Sequence, residues 1–206
     1  MLTSLEIRWF YQGKLPEVVK TWFETELPGE ILGTPDERED VYLYTKPVCD
    51  YLNIKLRQGR LEVKWRKAEL GILRIGERSQ GNPEKWVKWM CEDPSADSIT
   101  PIAVLGKGPW LSVQKRRSQR FYQVTVNTSM TLVPITQVMP NSCAVEVTQL
   151  QVQGNDWWSL AFETFGEDTS LKEFQAIANQ VFKAYSGSEL QVQDSFAYPK
   201  WLSSVG

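Results

Sequence analysis

The sequence predicts an α+β fold, namely a mainly antiparallel, eight-stranded, tunnel-like barrel with about three flanking helices. Two observations lead to this prediction. Most segments with strand-like alternation follow one another through short turns, which favours antiparallel neighbours. Three further segments have helical spacing of apolar residues and need apolar surface to cover. The chain has 206 residues without a visible linker or repeat, so we expect a single domain over 1–206.

The first third of the chain alternates between strand and helix patterns. Residues 6–11 are rich in aromatics and predict a strand. Residues 15–27 carry apolar side chains at spacings of three and four, which predicts a helix. Residues 28–40 contain clustered Pro, Gly and charges and are interpreted as an irregular loop. A short strand is predicted at 41–44.

The middle of the chain contains the strongest hairpin signal. Apolar and charged residues alternate over 53–65, and Gln58-Gly59-Arg60 supplies the turn. Residues 71–75 predict another strand. Residues 83–90 predict a short helix, because its Trp and Met residues fall on one helical side. Residues 91–112 are interpreted as a second irregular loop.

The last third predicts three strands and the longest helix. The strands are expected at 121–126, preceded by a basic run from Lys115, and on both sides of the turn 153–156. The helix is expected over 171–185, with Asp168-Thr169-Ser170 supplying its N-cap. The two strands beside the turn span 143–152 and 157–165.

Composition excludes several classes of chemistry. The chain has no histidine, which excludes Ser-His-Asp and Cys-His catalysis and imidazole zinc sites. Its three cysteines are widely spaced and predict reduced thiols in a cytoplasmic protein. The formal net charge of −2 argues against a nucleic-acid partner. Neither a signal peptide nor a membrane span is expected, and the oligomeric state is left open.

Charges recur at every second position of several predicted strands, so each set projects from one side of the sheet. Two architectures fit this alternation. In one, the charges face solvent around an ordinary apolar core. In the other, the sheet closes around a charged lumen, and the helices cover its apolar outside. Alternation alone does not decide between them.

A charged lumen would contain more basic than acidic residues, which suits phosphates because Arg and Lys pair strongly with them in low dielectric. A few carboxylates in such a lumen would suit a divalent cation with oxygen ligands. The candidate phosphate-binding residues are Arg8, Lys55, Arg57, Lys64, Arg66, Lys115 and Arg117. The candidate metal ligands are Glu6, Glu146 and Glu163.

With these residues in order, the sequence resembles the CYTH, or triphosphate tunnel, superfamily over nearly its whole length. Glu6-Ile7-Arg8-Trp9-Phe10 matches an E-x-E-x-K strand, and Lys55-Leu56-Arg57 with Gly59 matches an R-x-R strand and its turn. Further matches are Leu61-Glu62-Val63-Lys64, Lys115-Arg116-Arg117, Val145-Glu146-Val147, Leu160-Ala161-Phe162-Glu163 and the segment from Asp194 to Leu202.

The resemblance implies an eight-stranded tunnel that binds triphosphate-bearing substrates with Mg²⁺ or Mn²⁺ held by carboxylates. Two departures weaken the expectation of activity. Arg8 and Phe10 replace the second Glu and the Lys of the first strand, and Ala161 replaces an expected Glu. Glu6, Glu146 and Glu163 are left as ligands for the metal, and Arg8 is free to pair with a phosphate or with Glu163.

The leading hypothesis is a CYTH-like protein that binds a phosphorylated or polyanionic small molecule, with an eroded metal site and at most weak triphosphatase activity. One alternative is an active metal-dependent triphosphatase or nucleotidyl cyclase. Another is a calycin-like barrel for an apolar or aromatic ligand. The last would have Ile54, Leu56, Val63 and Trp65 inside.

Overall fold

The computed structural model describes residues 2–28, 34–92, 108–126, 130–135, 142–167 and 170–206. Most of the predicted loop 91–112 and part of the predicted loop 28–40 therefore lie outside the described residues. The described strands are β1 Leu2–Gln12, β2 Asp36–Leu43, β3 Leu52–Arg57, β4 Arg60–Glu69, β5 Leu73–Ile75, β6 Ser79–Gly81, β7 Glu84–Glu92, β8 Trp110–Val126, β9 Met130–Ile135, β10 Ser142–Val152 and β11 Asn155–Phe165.

Eight of these strands close into an antiparallel barrel. The order around it is β10, β11, β1, β7, β4, β3, β2 and β8, and β8 pairs back with β10. Strand β9 extends the pairing of β8, and β5 with β6 forms a separate small hairpin. The predicted fold class, an eight-stranded antiparallel tunnel with flanking helices, is confirmed.

Two tight turns set the register of the hairpins that carry most of the cavity wall. Gln58 and Gly59 both have positive φ between β3 and β4, and so do Gln153 and Gly154 between β10 and β11. Two consecutive residues with positive φ are the signature of the turn that matches the twist of a two-residue hairpin. The predicted hairpins at 53–65 and 143–165 are thus confirmed, with their inward residues fixed in register.

Three helices flank or close the barrel in the described residues. They are α1 Glu17–Thr21, which continues as a π-helical turn over Trp22–Glu26, α2 Leu171–Val181, which ends in a 3₁₀ turn, and α3 Tyr198–Val205. Helix α2 begins with a capping box between Ser170 and Glu173, close to the predicted cap. None of the described helices combines the length and apolar character required to cross a bilayer.

Helices α1 and α2 cover one side of the barrel, where the outward faces of β1, β10 and β11 are apolar. Trp9, Phe162 and Phe174 are fully buried in this cluster. A second cluster lies within the barrel at the end of β1, where α3 inserts Trp201 against Phe10. Helix α3 therefore closes one end of the tunnel, and Leu2 marks the opposite end of β1.

Two secondary-structure predictions were wrong. Residues 83–90 form strand β7 instead of a helix, and β2 begins at Asp36, within the predicted loop 28–40. In both cases the pairing with neighbouring strands outweighs local pattern: β7 is hydrogen-bonded on both sides, to β1 and β4. The difference matters for function, because β2 and β7 are barrel strands, so that Arg38, Asp40 and Lys88 point to the inside of the barrel.

Arg120 is a basic residue of β8 that is buried outside the cavity. Its side chain is buried and donates hydrogen bonds to the carbonyl oxygens of Phe23, Glu24 and Pro28 at the end of the π-helical turn. These carbonyls lie where a helix end leaves acceptors unpaired. Arg120 thus fixes α1 to β8 and takes no part in the cavity.

Candidate functional site

The inward side chains of the barrel enclose a cavity of about 320 Å³. Lys55 and Arg57 line it, so Ile54 and Leu56 of the same strand face outward. The solvent-facing interpretation of the charges and the calycin-like interpretation are both contradicted by this orientation. The wall carries eight basic residues, Arg8, Arg38, Lys55, Arg57, Lys64, Lys88, Lys115 and Arg117, and four acidic residues, Glu6, Glu62, Glu146 and Glu163.

Nine of the ten predicted site residues line this cavity. The exception is Arg66, which follows the alternation of β4 but lies beside a β-bulge. Its guanidinium is 2.8 Å from a carboxylate oxygen of Glu84 and 3.2 Å from one of Asp50. Arg66 is therefore paired with carboxylates and does not line the cavity, so its prediction as a phosphate-binding residue is not supported.

Sequence reasoning missed four residues of the cavity and its charge cluster: Arg38, Asp40, Tyr42 and Lys88, of which Asp40 is fully buried and does not itself line the cavity. The first three come from β2, where a dense run of charges obscured the strand, and the last comes from β7, interpreted as a helix. A usable signal existed in β2, because Arg38, Asp40 and Tyr42 are spaced by two and continue the strand predicted from residue 41.

Asp40 lies at the centre of the densest charge cluster. It is fully buried, and its carboxylate lies 3.0 Å from Arg38 Nε, 3.2 Å from Lys115 Nζ and 3.5 Å from Lys55 Nζ. The hydroxyl of Tyr42 donates a hydrogen bond to it at 3.1 Å, and Arg57 lies at 4.0 Å. One carboxylate thus serves as counter-ion for four basic side chains.

The crowding of like charges shifts the pKa values of this cluster in opposite directions. Burial alone would raise the pKa of Asp40, but Lys115 and Lys55 hold it well below its usual range. Burial lowers the pKa of Lys55 to about 7, and Asp40 offsets this only in part. Burial likewise lowers the pKa of Lys115 to about 7. Both lysines can therefore exchange protons near neutral pH.

Glu62 forms the neighbouring centre. Its carboxylate is 3.1 Å from Lys55 Nζ and 3.0 Å from Lys88 Nζ, and it accepts a hydrogen bond from Arg57. Burial opposes ionisation of Glu62, but Lys55 and Lys88 lower its pKa to about 2. Burial also lowers the pKa of Lys88. Glu62 is therefore ionised at neutral pH and shared by three bases.

Glu146 is held on the opposite wall. Arg8 Nη1 donates a hydrogen bond to it at 2.7 Å, Thr148 and Gln119 each donate one at 3.0 Å, and Arg117 Nη1 lies at 3.6 Å. Burial would raise the pKa of Glu146, but Arg8 and Arg117 keep it well below its usual range. The partner of Arg8 is thus Glu146 instead of Glu163.

Glu6 and Glu163 face each other directly across β1 and β11. Lys64 reaches them from β4, with Nζ 3.1 Å from Glu6 Oε2 and 3.5 Å from Glu163 Oε1. Burial alone would lower the pKa of Lys64, but Glu163 and Glu6 raise it above its usual value. This ammonium is therefore firmly protonated, unlike those of Lys55 and Lys115.

These contacts divide the cavity into two unequal halves. In the half around Asp40 and Glu62, these two buried carboxylates and the partly exposed Asp36, which pairs with Arg38, face five basic residues: Arg38, Lys55, Arg57, Lys88 and Lys115. In the half around β1, β10 and β11, the three carboxylates Glu6, Glu146 and Glu163 face the three basic residues Arg8, Lys64 and Arg117. The surplus of positive charge is therefore confined to the first half.

The closed end of the tunnel meets this positive half. Tyr198 of α3 stacks on Tyr42 with ring centroids 5.3 Å apart, and Lys115 Nζ lies 3.8 Å from the centroid of Tyr198. The aromatic face attracts the ammonium electrostatically but supplies no counter-charge. Helix α3 thus keeps water from one side of the lysine without neutralising it.

Three buried polar atoms on side chains that line the cavity have no hydrogen-bond partner among the described residues. They are Arg57 Nε, Arg117 Nε and Asn53 Oδ1, and all three side chains line the cavity. Buried polar atoms are normally paired, so unpaired donors in a cavity indicate places where a bound group can accept hydrogen bonds. Two of the three atoms are guanidinium donors.

The resemblance implies a divalent cation, and the residues present do not fit a preformed one. Glu6 and Glu163 offer the oxygen ligands that Mg²⁺ uses, but the ammonium of Lys64 lies against both of them. Glu146 is bonded to Arg8. No group of three or more Asp, Glu or Cys residues is placed to hold a metal ion in the described part of the chain. Binding of Mg²⁺ or Mn²⁺ stays a prediction.

No protein-family model and no curated protein matches the chain. Among solved structures, the PH1012 protein from Pyrococcus horikoshii OT3 is similar, with a TM-score of 0.46 and 15% identity over 97% of this chain and 98% of that chain. A candidate adenylate cyclase from Bacillus halodurans has a TM-score of 0.48 and 11% identity, over 93% of this chain and 95% of that chain. At these values neither protein informs the function of this chain.

Proposed function

We propose that this chain is a CYTH-like tunnel protein that binds a phosphorylated or polyanionic small molecule, with an eroded metal site and at most weak triphosphatase activity. The observation that carries the proposal is the enclosed cavity in which two buried carboxylates, Asp40 and Glu62, face five basic side chains. Like charges buried together are costly, and an anion of several charges would relieve that cost.

The chemistry of the wall favours phosphate groups over a single carboxylate. Arg57 and Arg117 offer planar guanidinium forks with unpaired Nε donors, and such forks match phosphate oxygens. Lys55 and Lys115 add point charges in the half of the cavity that contains Arg57. Because α3 closes one end, the ligand would enter from the end where Leu2 lies exposed.

Efficient metal-assisted phosphoryl transfer needs carboxylates free to hold the cation that neutralises the phosphates. Here Glu6, Glu146 and Glu163 are bonded to basic side chains of the protein itself. Binding is therefore the activity that the site supports best. Rapid Mn²⁺-dependent triphosphate hydrolysis that disappears in Glu163→Gln would instead favour an active triphosphatase or cyclase.

The first prediction concerns Arg57. Arg57→Gln removes a guanidinium from the positive half, while Glu62 keeps Lys55 and Lys88 as counter-ions. Calorimetric titration with tripolyphosphate in the presence of a metal chelator should show that Arg57→Gln binds it about 10- to 100-fold more weakly than the wild type. A hydrogen bond to a charged group contributes about 1.5–3 kcal/mol. Titration with pyrophosphate and then phosphate should give progressively weaker binding.

Arg116→Gln is the matched control. Arg116 lies on β8 beside Lys115 and Arg117, but it is exposed and pairs with Glu37 on the outside of the barrel. Its substitution should leave tripolyphosphate affinity unchanged at constant ionic strength. Equal loss in both variants would mean that the anion binds to the outer surface, and absence of binding to the wild type would refute the proposal.

The second prediction concerns pH. A polyanion beside Lys55 and Lys115 stabilises their protonated forms, so binding should take up protons at pH 7.5–8.5, above the pKa of about 7 of each free lysine. Affinity should then fall as pH rises through this range, by up to about tenfold per pH unit for each proton taken up. Titrations in buffers of different ionisation enthalpy measure the proton number directly.

Lys55→Arg provides the control for this dependence, because a guanidinium keeps its charge throughout this range. The variant should bind tripolyphosphate with a smaller proton uptake and a flatter pH profile than the wild type. Because the ligand's own protons contribute equally to every titration, a proton number that Lys55→Arg and Lys115→Arg both leave unchanged would show that these lysines do not meet the anion.

A further inference from the structure

We propose that Lys64 and Arg8 act as built-in counter-cations for the three glutamates of β1, β10 and β11, so that the tunnel holds its polyanion without a divalent metal. That the tunnel holds a polyanion rests on the proposed function, whereas the pairing of the glutamates with Lys64 and Arg8 does not. The family resemblance implies a divalent metal at these glutamates, whereas the side-chain contacts of this chain place basic residues there.

The position of Lys64 carries the first step. Glu6 and Glu163 are direct cross-strand partners, and two carboxylates so placed repel each other unless a cation lies between them. The Lys64 ammonium reaches across β7 to contact both, at 3.1 and 3.5 Å. It therefore places one positive charge between the two carboxylates, in the position that a divalent ion would need.

Arg8 carries the second step. It stands where the family that this sequence resembles has a carboxylate. Its guanidinium is 2.7 Å from Glu146 and 3.1 Å from the hydroxyl of Ser159. Glu146 also accepts hydrogen bonds from Thr148 and Gln119. Basic side chains thus already contact all three carboxylates, with Arg117 shared between Glu146 and Asp36.

The charge balance of the whole cavity carries the third step. A metal-bound triphosphate brings less negative charge than the free anion, whereas the half around Asp40 offers a surplus of basic residues. The more negatively charged free tripolyphosphate is attracted more strongly to that surplus than its metal complex is. We therefore expect Mg²⁺ or Mn²⁺ to weaken binding by sequestering the anion, instead of strengthening it.

The experiment uses Mn²⁺ alone, measured by electron paramagnetic resonance of the free ion. The wild type should leave Mn²⁺ free, whereas Lys64→Met, which keeps the length of the side chain without its charge, should bind it through Glu6 and Glu163. The expected gain in Mn²⁺ affinity is about tenfold or more, because paired carboxylates supply the oxygen ligands. Lys64→Met/Glu163→Gln should lose the gain.

Circular dichroism and the unfolding midpoint of each variant establish that it is folded, and Mn²⁺ should raise the midpoint of Lys64→Met specifically. Mn²⁺ binding to the wild type that Glu163→Gln abolishes would overturn the inference. A folded Lys64→Met that gains no Mn²⁺ affinity would overturn it as well, and Lys64→Gln repeats that test with a polar neutral side chain.

Titration of the wild type with tripolyphosphate then separates the two proposals. Equal or tighter binding in chelator than in Mn²⁺ supports the metal-free site. Binding that requires Mn²⁺ overturns the inference but leaves polyanion binding intact. Absence of tripolyphosphate binding under both conditions overturns the proposed function. The Mn²⁺ result for Lys64→Met still decides whether Lys64 keeps a metal ion away from the glutamates.

Discussion

Asp40→Asn should destabilise the ligand-free protein by about 3–5 kcal/mol, the usual consequence of removing one partner of a buried ion pair. The substitution preserves shape but leaves Arg38, Lys55, Arg57 and Lys115 without their shared counter-ion. The two lysines can lose their protons, because their pKa values are already about 7. Arg38 keeps Asp36 as a partner and Arg57 keeps Glu62, but both lose the buried carboxylate that they share. Urea unfolding measures the loss.

The same variant should bind tripolyphosphate more tightly than the wild type, because the anion then replaces the missing carboxylate. Its unfolding midpoint should therefore rise more on addition of tripolyphosphate than that of the wild type. Asp156→Asn is the matched control, since the Asp156 side chain accepts a hydrogen bond from the amide of Gln151 in an exposed hairpin, away from the basic cluster. An Asp40→Asn protein that keeps wild-type stability and wild-type affinity would show that Asp40 does not compensate the basic cluster.

Trp201→Ala should lower the free energy of unfolding by about 3–5 kcal/mol, as expected for truncating a buried Trp. The indole is fully buried, stacks on Phe10 with centroids 4.9 Å apart, and meets Tyr198 and Trp157 edge-on. Its loss leaves a cavity at the closed end and frees α3. Tyr198 would then leave its place above Lys115, which exposes the positive half to water.

Lys200→Ala, on the same helix, serves as the control. Lys200 is exposed, and its ammonium lies 5.7 Å from the centroid of the Phe196 ring, so removal of this side chain should cost about 1 kcal/mol or less. Comparison of urea unfolding curves tests the difference between the two variants. A loss below about 1 kcal/mol for Trp201→Ala would contradict the assignment of α3 as the closure of the tunnel.

The sequence was sufficient to predict the barrel and most of its charged wall. Alternation over β3, β4, β10 and β11 is regular, and the turns at Gly59 and Gly154 mark where each hairpin reverses. Alternation could not show which face of each strand points into the barrel. The structure resolves this through the closure of the sheet, which places Lys55 and Arg57 inside and gives α1 and α2 an apolar outside to cover.

Strand β7 shows why other residues were missed. Over 83–90 the tryptophans also fit one side of a helix, and only pairing with β1 and β4 shows that Trp86 and Lys88 both face inward. Asp40 was missed for a different reason. An acidic residue in a run of charges has no local signal of burial, and four basic partners from β2, β3 and β8 become visible only in the folded barrel.

The ion pairs could not be predicted from the sequence either. Period 2 identifies which side chains share a face, but it does not say which strands are neighbours across a closed barrel. Lys64 contacts Glu6 and Glu163 although β7 lies between their strands, and Arg8 contacts Glu146 across β11. These long-range pairs decide that the three predicted metal ligands are already neutralised.

The most direct test of the basic tunnel is the unfolding midpoint of the wild type with tripolyphosphate in chelator, against sulfate at matched ionic strength. Sulfate controls for general salt effects. If the cavity binds the polyanion, tripolyphosphate should raise the midpoint by several degrees over sulfate, because a hundredfold excess over Kd stabilises by about 2.7 kcal/mol. An identical midpoint in both salts, at every concentration that keeps the protein folded, would contradict the assignment of this tunnel as an anion-binding site.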